Sequence, residues 1–211
     1  MKGDLRFMKY PLGTFKTVRS FCVAAVLFGT NQISGEDYNY ISPIIAQDGL
    51  GNMVSVYLAQ NDSGNAVVIG STCTAGSPWS SPTQLSDDSE SAQNIQIASD
   101  ASSGVILVTW TALDIAAGTD FVLATTYKNS DGWGTTNKIS LPTEDGAWDD
   151  QKCSVAASGV MAVVWTSYIN GTQAIRSANG IYGTTGSNVG PWNTPVTLAS
   201  PNIKPIAFAS S

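Results

Sequence analysis

The sequence of 211 residues contains no histidine, and only 12% of its residues are charged. Without histidine, His-based metal sites, Ser-His-Asp triads and Cys-His dyads are all excluded. A helical bundle is disfavoured as well, because the solvent-facing sides of helices need many Glu, Lys and Arg residues. The hydrophobic fraction of 43% is enough for a globular domain, and the length suits a single one.

Basic residues are concentrated at the N-terminus, where five of the ten precede an apolar run over residues 21–28. A basic segment, a short apolar run and then small or polar residues are typical of a secretory signal peptide. We therefore predict a signal peptide over residues 1–35 and a mature chain that is secreted, periplasmic or at the cell surface. An uncleaved N-terminal anchor is the alternative, although the run is shorter than the roughly 20 apolar residues that span a bilayer.

Removal of this leader would leave a strongly acidic chain. After residue 35 there are 15 acidic and five basic residues, a net charge of −10. Such a charge disfavours nucleic acid and anionic membranes as partners. It suits a neutral glycan, a cationic partner or a divalent cation.

The chain after the leader repeats itself about every 53 residues. A first anchor, Ala-x-Asp or Ala-x-Ser followed by a Gly turn and an apolar strand, occurs three times and begins a fourth time. Its alanines are 52, 58 and 51 residues apart, at Ala46, Ala98, Ala156 and Ala207. A second anchor begins with Trp and ends in Leu-Ser or a similar pair, and it carries Trp79, Trp133 and Trp192. A period of about 50 residues is typical of the blades of a β-propeller.

Each repeat holds four short segments rich in Val, Ile, Thr and aromatic residues, bounded by Gly, Asp, Ser or Pro. In the second repeat they predict strands at residues 93–99, 105–111, 121–127 and 137–141. We therefore predict an all-β fold, a partial β-propeller of three four-stranded blades plus the first strand of a fourth. The blades are expected at about residues 42–89, 90–147 and 148–200, and the fourth would start over residues 201–211. A pair of immunoglobulin-like sandwiches is the alternative, but it needs units of roughly 100 residues.

Together the two anchors resemble the repeats of sialidase-like β-propellers of the BNR or Asp-box type, over nearly all of residues 42–211. The resemblance implies that a catalytic member would hold a substrate carboxylate with an arginine cluster and use a Tyr/Glu pair and an Asp acid. After the leader this chain has one arginine, Arg176. Because one guanidinium cannot form such a cluster, we expect no sialidase activity.

About 3.3 repeats are fewer than the 4–8 blades of known propellers. Three explanations stay open from the sequence. Two copies complete one ring as a homodimer, the chain is a truncated remnant of a longer propeller, or the arc exists as a monomer with exposed edges.

Acidic residues are concentrated in two kinds of loop that share one edge of a propeller. These are the connections from strand 4 of one blade to strand 1 of the next, and the turns from strand 2 to strand 3. On our strand assignment this edge holds ten of the 15. The candidate ligand-binding residues are Trp148, Asp149, Asp150, Asp88 and Asp114. If the protein binds Ca²⁺, we expect the site among Asp145, Asp149 and Asp150, because carboxylate oxygens are preferred ligands; no other cofactor is expected. Solvated acids are also common in loops without any function.

These observations favour a secreted, non-catalytic binding module for a glycan or protein partner. A truncated propeller or scaffold without a small-molecule site is one alternative, and a glycoside hydrolase using two loop carboxylates is another. We expect the repeated tryptophans to pack between neighbouring strands rather than to stack on a sugar. The repeat places Cys73 and Cys153 on different strands of different repeats, and we expect them to be unpaired.

Overall fold

The computed structural model describes residues 41–146, 151–169, 171–183 and 192–199, with only the backbone of residues 41, 42, 145 and 146. Within these ranges every regular element is a β-strand. The predicted leader, residues 1–35, and the predicted start of a fourth blade, residues 201–211, lie outside the described residues.

The strands form three antiparallel sheets, which we call blades 1 to 3. Blade 1 consists of β1 (Ile41–Gln47), β2 (Met53–Gln60), β3 (Ala66–Cys73) and β4 (Thr83–Gln84). Blade 2 consists of β5 (Glu90–Ser99), β6 (Val105–Asp114), β7 (Thr119–Lys128), β8 (Gly132–Trp133) and β9 (Asn137–Lys138). Blade 3 consists of β10 (Asp145–Gly146), β11 (Lys152–Val155), β12 (Val160–Ile169), β13 (Thr172–Ile181) and β14 (Val196–Ala199).

Each sheet has the four-strand order of a propeller blade, which confirms the predicted all-β class and the three four-stranded blades. In blade 2 the outer strand is divided into two short pieces, β8 and β9, which both pair with β7. In blade 3 the first strand is divided in the same way, because β10 and β11 both pair with β12. The first strands of neighbouring blades contact one another, β1 with β5 and β5 with β11.

Strand β6 explains how the blades hold together. Its even-numbered residues, such as Val108 and Trp110, join a core cluster with Val54 and Val56 of blade 1. Its odd-numbered residues, such as Leu107, join a second cluster with blade 3. Because both faces of the sheet are covered, the strand is almost continuously buried, and its sequence is an apolar and Thr run rather than an alternation.

The turns between the first and second strands account for the first anchor of the repeat. The carboxylate of Asp48 accepts hydrogen bonds from the backbone N–H groups of Leu50 and Asn52, at 2.8 and 2.9 Å. Asp100 does the same for two residues in the second repeat. The repeated glycine follows at positive φ in each turn, at Gly51, Gly104 and Gly159, where a side chain would be strained. Both aspartates therefore stabilise the turns in which they lie.

The second anchor is explained by the contact of its last two residues with the third strand. In blade 1, Leu85 donates its backbone N–H to Val68, and the hydroxyl of Ser86 accepts the N–H of Val68 at 2.8 Å. In blade 2, the hydroxyl of Ser140 accepts the N–H of Val122 at 3.0 Å in the same arrangement. A serine at this position thus satisfies a buried amide that the short outer strand does not reach.

Candidate functional site

The predicted acidic loop of blade 3 is described only at its two ends. Trp148, Asp149 and Asp150 lie outside the described residues, and so does the side chain of Asp145, whose backbone pairs with Tyr168 in β10. The residues that flank this segment are buried: Glu144 is 3% exposed and Gln151 is 1% exposed. The predicted Ca²⁺ site among Asp145, Asp149 and Asp150 therefore stays a prediction.

Asp88 lies where the turn between β2 and β3 meets the connection from blade 1 to blade 2. Its Oδ1 accepts hydrogen bonds from the side-chain amides of Asn61, at 3.2 Å, and Gln84, at 2.8 Å. Its backbone carbonyl accepts from the side-chain amides of Asn61 and Asn65, at 3.3 and 2.9 Å. The exposed carboxylate of Asp88 is thus held in one orientation by the side-chain amides of Asn61 and Gln84, and its backbone is held by those of Asn61 and Asn65.

Asp114 lies on the same edge, at the end of β6. Its Oδ1 accepts hydrogen bonds from the backbone N–H groups of Ala116 and Ala117, at 3.0 and 2.9 Å. The turn that it caps contacts the connection between blades 1 and 2, because Ile115 donates its N–H to the carbonyl of Ser89. We call this region the loop edge: residues 61–65, 84–90 and 114–118. It brings Asp88 and Asp114 together on one side of the molecule, as predicted from the strand order.

Glu90, which was not among the predicted site residues, pairs directly with Asp114 across β5 and β6. Burial raises the pKa of Glu90, and the charge of Asp87 raises it further, while Lys138 opposes this and Asp114 adds to it. Asp87 itself accepts hydrogen bonds from the N–H and hydroxyl of Ser89, which lower its pKa. The loop edge therefore combines a carboxyl group of raised pKa, Glu90, with one of lowered pKa, Asp87. This difference arises from contacts in the folded structure.

Arg176, the single arginine after the predicted leader, is not available to a ligand in this structure. It lies in β13 and is 6% exposed. Its Nη2 forms an ion pair with Oε1 of Glu144 at 2.5 Å and donates to the carbonyl of Pro195 at 3.1 Å, and its Nη1 donates to the hydroxyl of Thr197. The guanidinium thus joins the outer strand of blade 3 to the connection that leads into that blade.

The internal role of Arg176 could be inferred only in part from the sequence. The ladder pairs Trp110 with Leu123 in blade 2 and Trp165 with Arg176 in blade 3, so Arg176 occupies a position that is apolar in the preceding blade. A charge at a repeat position that is otherwise apolar is a signal of a buried ion pair. Its partner, Glu144, is 32 residues away, and no local pattern links the two residues.

Two of the three repeated tryptophans, Trp133 and Trp192, pack against the blades. Trp133 joins the cluster between blades 1 and 2, with its ring 5.2 Å from that of Tyr127. A Cβ atom at Gly70 of blade 1 would lie 2.5 Å from this indole, so glycine makes room for it. Trp192 joins the cluster between blades 2 and 3. The prediction that these tryptophans pack between neighbouring strands is confirmed for Trp133 and Trp192. Both also belong to clusters that contain residues of two blades.

Cys73 and Cys153 are both free and lie on β3 and β11, in different blades. Burial raises the pKa of the Cys153 thiol to about 11, so this thiol stays protonated at neutral pH. The sulfur of Cys73 lies 3.1 Å from the carbonyl of Ser77, within its own loop.

Neither a membrane-spanning helix nor a cluster of metal ligands occurs in the described ranges. No helix there is long and apolar enough to cross a bilayer. Within the same ranges, no three acidic or cysteine side chains come together in a group that could hold a metal ion.

No family model matches the chain, and no curated protein matches it. Among solved structures, that of the Hadza microbial sialidase Hz136 aligns with 10% sequence identity and a TM-score of 0.48. The alignment covers 74% of this chain and 38% of that protein, so the chain spans less than half of that protein's length. A likeness at this distance has no bearing on the activity of this chain.

Proposed function

We propose that the protein is a non-catalytic binding module that acts outside the cytoplasm and recognises a glycan or protein partner at its loop edge. The observation that carries this proposal is the arrangement around Asp88. The side-chain amides of Asn61 and Gln84 hold an exposed carboxylate in a fixed orientation, and Asn65 holds the backbone beneath it, so little conformational entropy is lost when a ligand binds there.

The chemistry of this edge suits hydroxyl groups. Carboxylate oxygens accept hydrogen bonds from sugar hydroxyls, and carboxamides both donate and accept them. Asp87 and Asp88 are exposed next to Asn61 and Gln84, so both group types reach solvent on the same edge. A cationic protein surface would be attracted by the same carboxylates, which is why a protein ligand belongs to the proposal.

The absence of catalysis is proposed from the state of Arg176. A site that binds a substrate carboxylate through arginine needs an accessible guanidinium, and Arg176 is buried with both of its Nη atoms directed to Glu144, Pro195 and Thr197. Release of Arg176 toward a substrate would leave Glu144 as an uncompensated buried charge.

A second candidate function, glycoside hydrolysis, is favoured by one observation. Glu90 has a raised pKa and stands directly opposite Asp114 in the ladder, and an acid of raised pKa beside a second carboxylate is the pair that glycosidases use. Hydrolysis of a fluorogenic glycoside panel that is lost in Glu90→Gln would establish this function in place of the binding module.

Glycan arrays, with and without Ca²⁺, test the proposal when Asp88→Asn is compared with the wild type. We expect binding by the wild type and at least tenfold weaker binding by Asp88→Asn, because the amide loses the charge and one acceptor. Asp100→Asn is the matched control, since Asp100 also caps its own turn but lies in a different turn, between β5 and β6. If neither glycans nor proteins bind, or if both variants lose affinity equally, the scaffold hypothesis replaces the binding module.

Export is tested separately. N-terminal sequencing of the protein recovered outside the cytoplasm should give a chain that starts near residue 36. Recovery of the protein only in the cytoplasm, starting at Met1, would contradict the proposed localisation.

A further inference from the structure

Glu90 begins β5, where the connection from blade 1 enters blade 2, and it lies opposite Asp114 at the end of β6. Side chains of directly opposed residues share one face of a sheet, with Cβ atoms about 5 Å apart. Oε2 of Glu90 is buried and has no hydrogen-bond partner within the part of the chain that the structure describes. Ionisation of Glu90 therefore places a charge beside a second carboxylate, on a group with one oxygen shielded from solvent and without a donor.

The other charges near Glu90 are mainly negative. Burial raises the pKa of Glu90 most, Asp87 raises it further, Lys138 of β9 lowers it and Asp114 raises it. The remaining charged residues of the loop edge are Asp62 and Asp88. Of the neighbouring strands that contact β5, β1, β2 and β3 have no Asp, Glu, Lys or Arg, and β11 has Lys152, which is exposed. Lys138 is thus the cation that opposes the carboxylates around Glu90.

The longest backbone hydrogen bonds of the loop edge lie next to Glu90. Its own N–H donates to the carbonyl of Asp87 at 3.4 Å, and Ile115 donates to the carbonyl of Ser89 at 3.4 Å. The other backbone bonds of the turns and connections at this edge measure 2.7 to 2.9 Å. The bond from Ile115 joins the turn after β6 to the connection that carries Asp88. Repulsion between the carboxylates at the base of this connection therefore acts on its weakest contacts.

We propose that Glu90 is a pH-sensitive switch of the loop edge, whose protonation holds residues 86–90 against the turn of residues 114–118 and whose ionisation loosens this contact. A protonated Glu90 is not repelled by Asp87 and Asp114, and it gains a proton to donate. Because the pKa is raised in the folded state, the closed form is favoured at pH 4.5 and below and is lost as the pH rises through the raised value. Asp88 lies in the same connection, so opening would also release the carboxylate to which we assign a ligand. This last consequence rests on the proposed function, whereas the switch itself does not.

The first experiment measures the titration of Glu90 directly. The chain has three glutamates, Glu36, Glu90 and Glu144, so selective ¹³C labelling of glutamate gives three carboxyl signals, and Glu90→Gln identifies one of them. We expect its midpoint to lie above 4.5, to fall in Asp87→Asn and Asp114→Asn, and to rise in Lys138→Met. Lys152→Met is the control, because this lysine is exposed on β11 and should leave the midpoint unchanged.

The second experiment measures the contact that the switch closes. Amide hydrogen exchange of Ile115, expressed as a protection factor, removes the intrinsic pH dependence of exchange. In the wild type we expect this factor to fall by about threefold or more between pH 4 and pH 7, and in Glu90→Gln to stay at its pH 4 value. The N–H of Gly159 is the control, because it bonds to Ala156 in a turn without a carboxyl side chain.

Three results would overturn the proposal. A Glu90 midpoint at or below 4.5 would remove the switch. Constant protection of Ile115 in the wild type would mean that Glu90 ionises without loosening the contact, and a decrease that persists in Glu90→Gln would assign it to another group. If Glu90→Gln does not fold by circular dichroism, the shifts in Asp87→Asn and Lys138→Met still decide the case. Neither experiment contains a ligand, so a failure of the glycan arrays would contradict the proposed function and leave the switch intact.

Discussion

Blades 2 and 3 have the same strand order but hold their outer strands by different means. In blade 2, Leu123 lies in the apolar cluster with blade 1, and Ser140 satisfies the amide of Val122. In blade 3, Arg176 stands in the place of Leu123. Ala199 stands in the place of Ser140, so this blade lacks the serine hydroxyl. The comparison teaches that the repeat specifies the sheet, whereas its outer edge can be secured by apolar packing or by an ion pair.

Replacement of Arg176 by leucine should have the largest effect on stability. It leaves Glu144 buried without its partner, which costs about 3 to 5 kcal/mol of unfolding free energy. Urea denaturation measures this loss. The double variant Arg176→Leu, Glu144→Leu should recover most of it, since blade 2 already has Leu123 at this place. A single variant that is as stable as the double one would contradict the structural role of the ion pair.

The variant Gly70→Ala tests the apolar packing of Trp133 at the interface of blades 1 and 2. Its Cβ would lie 2.5 Å from the rigid indole of Trp133, and we expect a loss of about 1 to 3 kcal/mol by overpacking. Gly180→Ala is the matched comparison in blade 3, where the nearest atom of Trp192 is 3.1 Å away. Thermal unfolding of both variants should give the larger decrease in Tm for Gly70→Ala, and the reverse order would contradict the interblade position of Trp133.

Removal of the hydroxyl of Ser140 should have a smaller effect. The buried N–H of Val122 would lose its acceptor in Ser140→Ala, at a cost of about 1 to 2 kcal/mol. Ser154→Ala is the control, because Ser154 is exposed on β11 and its loss should change the unfolding free energy by less than about 0.5 kcal/mol. Equal effects in urea denaturation would mean that the serine shared by blades 1 and 2 does not act by satisfying this amide.

Glu90→Gln should have the smallest effect, and its sign depends on pH. The pKa of Glu90 is raised above its ordinary value of 4.5 in the folded state, so folding favours its protonated form. Stability is then lost as the pH rises from about 4.5 through the raised value. The variant should be more stable than the wild type at pH 7 and equal to it below pH 4. A variant that is less stable at pH 7 would show that Glu90 is stabilised in its charged form.

The strand pattern was predictable because turns and alternation are local properties. The predicted strand at residues 105–111 corresponds to β6, and the one at 121–127 corresponds to β7. The outer strand of blade 2, predicted over residues 137–141, is only Asn137–Lys138, because the side chain of Ser140 replaces the backbone ladder beyond that point. The inner strand β5 starts earlier than predicted, at Glu90, and contains a bulge at Asn94, which has a positive φ.

The candidate site was predictable only as an edge of the molecule. Strand order alone placed Asp88 and Asp114 on one side. The carboxylate of Asp88 is oriented by Gln84, four residues away, and by Asn61, 27 residues away, while Asn65, 23 residues away, holds its backbone carbonyl. No local pattern links Asp88 with Asn61 or Asn65. The altered acidity of Glu90 depends in the same way on Asp87, Asp114 and Lys138, which three different parts of the chain bring close.

The sequence by itself determined the class of the fold, the number of described blades and the turns that start each of them. These depend on side chains within a few residues of one another: an Asp that bonds its own turn, a glycine at positive φ, an apolar run between them. The tertiary structure alone decided that Arg176 is an internal ion-pair partner, that Trp133 needs Gly70, and that Ile45 and Leu198 are exposed. Each of these depends on contact between distant strands, where the free energy of a group is set by what surrounds it and not by its neighbours along the chain.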